Sequence, residues 1–113
     1  MYLDKDGNVI AGLSTKGHLA VGVPGSVAGM EYAREKYGTM KRADVIAPAL
    51  QLAEDGFVLD QGDVSMFQTA TKDFEDDPAS AAIFLNNGKP FQVGERLAQH
   101  ELAETLREIS KRG

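Results

Sequence analysis

Cysteine is absent from this sequence. That removes disulfides, thiolate zinc sites and cysteine nucleophiles together. Apolar runs never exceed a few residues, too short for a membrane-crossing helix. Positive charge is in deficit: Lys and Arg number 12 against 17 Asp and Glu, a net charge of −5. A chain of that sign has no electrostatic footprint for phosphate backbones, so a nucleic-acid partner is not expected. The first residues, Met1-Tyr2-Leu3-Asp4-Lys5-Asp6, have neither the basic start nor the apolar stretch of a signal peptide. What remains is ordinary: 113 residues, 42% hydrophobic and 26% charged. This fits one globular domain and argues against wholesale disorder.

Glycine and charge are unevenly spread. Glycines 7, 12, 17, 22, 25 and 29 crowd the first part of the chain, while residues 54–77 hold eight carboxylates against Lys72 alone. Residues 1–23 read as extended: Tyr2-Leu3 and Val9-Ile10 flank a turn at Asp4–Asn8, and His18–Val23 is strand-like. From Pro24 the period becomes helical. A first helix opens at Pro24-Gly25-Ser26, with Val27, Met30, Ala33, Arg34 (through its stem) and Tyr37 on one stripe and Glu31 and Glu35 opposite. Gly38 closes it as a left-handed cap. Thr39 caps a second helix through Ala43, Ile46, Leu50 and Ala53, kinked at Pro48 and ended by Gly56. Asp60 caps a third through Val64, Phe67 and Thr71, and Asp77-Pro78 starts a short fourth through Phe84. Asn86–Pro90 must turn, and a last helix runs from about Gln99 to Gly113. The expected fold is mainly α: about five helices packed together after a short N-terminal β-hairpin.

Few of these residues form a recognisable chemical site. Asp4-Lys5-Asp6-Gly7-Asn8 resembles the start of a calcium loop, but Gly7 comes two positions early and Thr15 stands where a glutamate is needed, so it reads as a turn. Gly22–Gly29 is neither a dinucleotide nor a Walker loop, and Ser26 lacks the spacing of a nucleophile elbow. Gly25 and Gly29, four apart, read as a bare face for close packing rather than as an anion site. His18 and His100 have no metal-ligand spacing and no triad geometry behind them. Glu75-Asp76-Asp77 reads as a solvated loop that caps the next helix. Glu101, Glu104 and Glu108 with Arg107, Lys111 and Arg112 read as surface pairs.

Several segments, in order, resemble the γ-glutamyltranspeptidases. They are His18–Gly29, Lys36-Tyr37-Gly38-Thr39-Met40, Ile46–Phe57, Ile83-Phe84-Leu85, Gly88-Lys89-Pro90, Gly94-Glu95-Arg96-Leu97 and Leu102–Ile109. Residues 60–82 match loosely. The resemblance implies a piece from the middle of the large subunit of an αββα N-terminal-nucleophile hydrolase, residues 1–113 forming one segment, extended over 1–23 and helical over 24–113. An abrupt start at Met1 and stop at Gly113 fit such a piece. In such enzymes a precursor cleaves itself and exposes a threonine at the start of a small subunit. That threonine attacks the γ-glutamyl amide of glutathione, with its own α-amine as base. The resemblance assigns no catalytic, cofactor-binding or metal-binding residue to this chain, and no cofactor. Threonines 15, 39, 69, 71 and 105 match none of the nucleophile's surroundings, and the arginine for the glutamyl α-carboxylate would precede Met1. The implied partners are the rest of the large subunit and the threonine-led small subunit. A freestanding helical interaction module stays open beside this, as does a segment of a related acylase acting on cephalosporin side chains or polyglutamate. Apolar faces at Val27, Met30, Leu50, Phe57, Phe67, Phe84, Leu102 and Leu106 would favour pairing of two copies of the isolated piece.

Overall fold

A computed structural model describes all residues, Met1–Gly113. The N-terminal hairpin is reduced to one antiparallel bridge, Leu3 to Val9. Its turn is set by Asp4, whose carboxylate accepts from the backbone N–H of Asp6 and Asn8 at 2.9 Å each, and by Gly7 at φ 86°. Residues His18–Ala20, expected to be extended, form a single 3-10 turn instead. They have no partner strand in this chain, so Ala20 N–H bonds locally to the Gly17 carbonyl. The Tyr2 hydroxyl donates to the Leu19 carbonyl at 2.9 Å.

Helix α1 spans Ser26–Tyr37; Val27, Met30 and Arg34 of the expected stripe face α2 and α5, but Glu31, expected opposite, joins them there. Glu31 and Arg34 are its least exposed residues, while Met30 and Tyr37 lie open to solvent. Gly38 is not a left-handed cap, because its φ is −86°. Glycine is needed there for clearance: a Cβ would sit 2.6 Å from the Arg34 carbonyl oxygen. The close-packing reading of Gly25 and Gly29 also fails, since nothing lies within 4 Å of a Cβ at either. Helix α2 spans Arg42–Asp55 with Pro48 inside it. Thr39 does not cap it. The N-cap is Lys41, which makes no side-chain bond, because residues 38–41 are an extended link between the two helices.

Strand β1, Phe57–Val58, follows Gly56 directly. Gly56 has φ 72°, and a Cβ there would lie 2.7 Å from the Leu97 carbonyl. Gly56→Ala should therefore lower stability by roughly 1–3 kcal/mol from backbone strain, with more from the clash, read as a fall in the urea midpoint. Helix α3, Gln61–Asp76, starts with a reciprocal capping box in which Asp60 and Asp63 each accept the other's backbone N–H. Helix α4, Pro78–Phe84, is capped by Asp77. Strands β2, Leu85–Asn86, and β3, Lys89–Pro90, pair around Asn87-Gly88. Both turn residues have positive φ, 52° and 78°, the geometry a two-residue hairpin requires. Strand β4, Arg96–Leu97, pairs antiparallel with β1, and helix α5 spans His100–Arg112. From Ser26 to Arg112 five helices alternate with links and four two-residue strands that the periodicity does not reveal.

The core is small. Leu59, Val64, Phe91 and Leu97 form it, with Phe57 and Phe67 packed against it. Phe67, Phe74 and Phe84 extend it as an aromatic trio with ring centroids 5.0–6.1 Å apart. Beside it α2 and α5 pack through Ala53 and Ala103, both buried. Eight of 113 residues are buried, and the accessible surface is 8549 Å². A folded monomer of this mass exposes about 6,100 Å². The radius of gyration is 18.1 Å, against about 13 Å for a compact domain of this length. About 2,500 Å² of surface is therefore surplus to a self-contained domain.

Candidate functional site

The best-formed concavity lies between α1, α2 and α5. It is a groove of about 190 Å³ with Val27 and Met30 on one wall and Val45, Ile46, Leu106 and Ile109 opposite. At its rim stands the chain's densest ion cluster. Glu31 accepts from Arg34 Nε at 2.9 Å and Nη2 at 2.6 Å, and from Arg42 Nε at 2.7 Å. Hydrogen bonds from Arg34 and then Arg42 hold the Glu31 carboxyl down at about 2 and push both guanidinium groups further up. With Arg42 Nη2 included, three of these donors converge on Oε1 of Glu31 and one reaches Oε2, so the cluster is a structural ion node. Charge pairs separated by 11 residues, as Glu31 and Arg42 are, leave no periodic signal in the sequence.

This node has a pH signature. The folded pKa of Glu31 is depressed from 4.5 to about 2, so its stabilisation is complete above pH 4.5 and lost as pH falls through about 2. The urea-midpoint difference between the chain and its Glu31→Gln variant should be constant above pH 5 and vanish near pH 2. A difference that persists unchanged at pH 2 contradicts the assignment.

Other residues singled out in the sequence do not converge. His18 sits in the 3-10 turn and His100 at the start of α5, both exposed. Asp77 caps α4 through Ser80 N–H at 3.0 Å. Glu108 pairs with Arg112 at 3.0 Å along α5. Arg107, read as a partner within α5, instead crosses to Glu54 of α2 at 2.7 Å. No group of three His, Cys, Asp or Glu side chains is placed to hold a metal ion.

Such geometry defines a mainly helical unit with a thin core and an apolar groove between α1, α2 and α5. The family model for gamma-glutamyltranspeptidase matches residues 1–113. The glutathione hydrolase proenzyme of Pseudomonas sp. (strain A14) is 68% identical over 100% of this chain and 20% of its own length. That of Escherichia coli (strain K12) is 39% identical with the same coverage. The crystal structure of Helicobacter pylori gamma-glutamyltranspeptidase superposes with a TM-score of 0.92 at 41% identity, over 98% of this chain and 32% of that one. The chain belongs to the gamma-glutamyltranspeptidase family, as the mainly helical part of an N-terminal-nucleophile hydrolase fold. It spans about a fifth of the length of these curated relatives.

Proposed function

We propose that this chain is the central stretch of a γ-glutamyltranspeptidase large subunit, a helical layer that braces an active site built elsewhere in the parent polypeptide. One observation carries this reading: a family match over every residue falls on a chain that buries only eight of them. Its partners are then the remaining large subunit and a small subunit led by threonine, which together cover its surplus surface. In the complete enzyme the threonine hydroxyl attacks the γ-glutamyl carbonyl of glutathione while its α-amine takes the proton. The acyl-enzyme passes the glutamyl group to water or to an acceptor amine. This chain supplies no nucleophile, cofactor site or metal site to that sequence.

Expression of the parent reading frame tests the reading. Two chains should appear, the smaller beginning with threonine on N-terminal sequencing, together with release of amine from a γ-glutamyl anilide. A single uncleaved product that still turns over substrate overturns it.

Deprived of those partners, the isolated chain should pair with itself through its exposed apolar surface. Of the apolar faces named above, Val27, Met30 and Leu102 are 41–66% exposed, while Leu50, Phe57, Phe67, Phe84 and Leu106 are partly covered within the chain. Two-fold pairing needs only one self-complementary face. Sedimentation equilibrium at micromolar concentration should give a mass near twice 12.2 kDa; a monomer throughout contradicts this expectation.

A further inference from the structure

Helix α1 buries none of its twelve residues, yet it lies over the apolar groove formed with α2 and α5. Its hydrophobic hold on that groove is weak. Within this chain Val27 and Met30 remain 45% and 66% exposed, and a groove of about 190 Å³ runs between them and the opposite wall. Burial stabilises in proportion to the apolar area removed from water, and here little is removed.

The polar hold is concentrated at one carboxylate. Glu31 of α1 takes bonds from both Nε and Nη2 of Arg34 and of Arg42, at 2.5–2.9 Å. Arg42 is the first residue of α2, so its two bonds join the helices. Arg34 Nη1 also donates to the Met40 carbonyl at 3.1 Å, tying the link 38–41 to the same point. Side chains of the three residues are only 19–24% exposed. Glu35 stands further off, 3.7 Å from Arg34 and 3.9 Å from Arg42, and is mostly solvated. Bonds between ionised partners are the strong ones. Removing the shared carboxylate also leaves two guanidinium groups facing each other, which adds repulsion to the lost attraction.

We propose that α1 is a hinged strap latched by Glu31: the carboxylate shared by Arg34 and Arg42 holds the helix over the groove. When the latch is lost, α1 swings about residues 38–41 and uncovers the partly covered Ile46, Leu106 and Ile109.

Hydrogen exchange on the 113-residue chain, resolved by helix, tests this. Glu31→Gln should speed exchange of the α1 amides at least tenfold and leave α3 and α5 within twofold. The paired change Glu31→Arg with Arg42→Glu keeps one carboxylate between two guanidinium groups, and should return α1 to within threefold of the unaltered chain. Unaltered α1 exchange in Glu31→Gln overturns the latch. Equal acceleration of every helix also does, because Glu31 would then support the whole fold rather than the strap. Failure of the paired change to slow α1, or absence of α1 protection in the unaltered chain, overturns it as well.

Discussion

Incubated with a γ-glutamyl anilide, the 113-residue chain should release no amine above the uncatalysed rate, whereas the complete parent enzyme should exceed that rate by at least about 10⁶-fold. The reason is positional. A threonine that uses its own α-amine as base must stand at a chain terminus, where that nitrogen is free. All five threonines here are internal, so each nitrogen is an amide with no basic lone pair. Four of the hydroxyls are also engaged. Thr15, Thr69, Thr71 and Thr105 donate to the carbonyls of Gly12, Met66, Phe67 and Glu101 at 2.7–3.2 Å. Such bonds satisfy the hydroxyl locally and point it along its own turn or helix rather than into a cleft. Turnover that survives purification and disappears with a point change in this chain would sink the scaffold reading.

Leu59→Ala should be the most destabilising single truncation. Leu59 is 1% exposed, the most buried side chain of the protein, enclosed by Val64, Phe91 and Leu97. Its backbone is fixed on both sides, with its N–H donating to the Glu95 carbonyl at 2.8 Å and its carbonyl accepting from Gly94 at 2.9 Å. The surroundings therefore cannot collapse freely into the space left behind. Leucine truncation in such a site costs about 3–5 kcal/mol, lost transfer energy and cavity together. Small domains carry about 5–15 kcal/mol in total, and this one has an unusually thin core. The urea midpoint should fall by about 1–5 M, or the cooperative transition should vanish. Val58→Ala, one residue away but 54% exposed, should change stability by under about 0.5 kcal/mol. Similar losses for the two would show that Leu59 is not the keystone of the core.

What could be read from the residues alone was whatever a few neighbours decide among themselves. Asp60 with Asp63 announces a helix start three residues apart, and Asp77-Pro78 announces the next. Asn87-Gly88 suits a tight turn because both residues accept positive φ. The order of matching segments from His18 to Ile109 carried the family, since several separate runs in register are far more specific than any one. Helical periodicity marked Val27, Met30, Tyr37 and Leu102 as lying on the apolar faces of α1 and α5, and all four are exposed here. A stripe shows which face is apolar, not whether anything in the chain lies against it.

Other features came only from distant parts of the chain meeting. β1 and β4 are two residues each, too short to register as a period, and they exist because Phe57 and Leu97 come together across 40 positions. Thr39 lost its capping role because residues 38–41 are stretched as a link, which lets Arg42 reach Glu31. Glu31 looked like a solvent-facing charge and became the point where two helices join. Local chemistry, set by bonds spanning three or four residues, is fixed as soon as the order of amino acids is known. Ion pairs, strand pairs and burial depend on which surfaces meet, and here only the folded arrangement decides that, because much of the surface to be covered finds no partner within the chain.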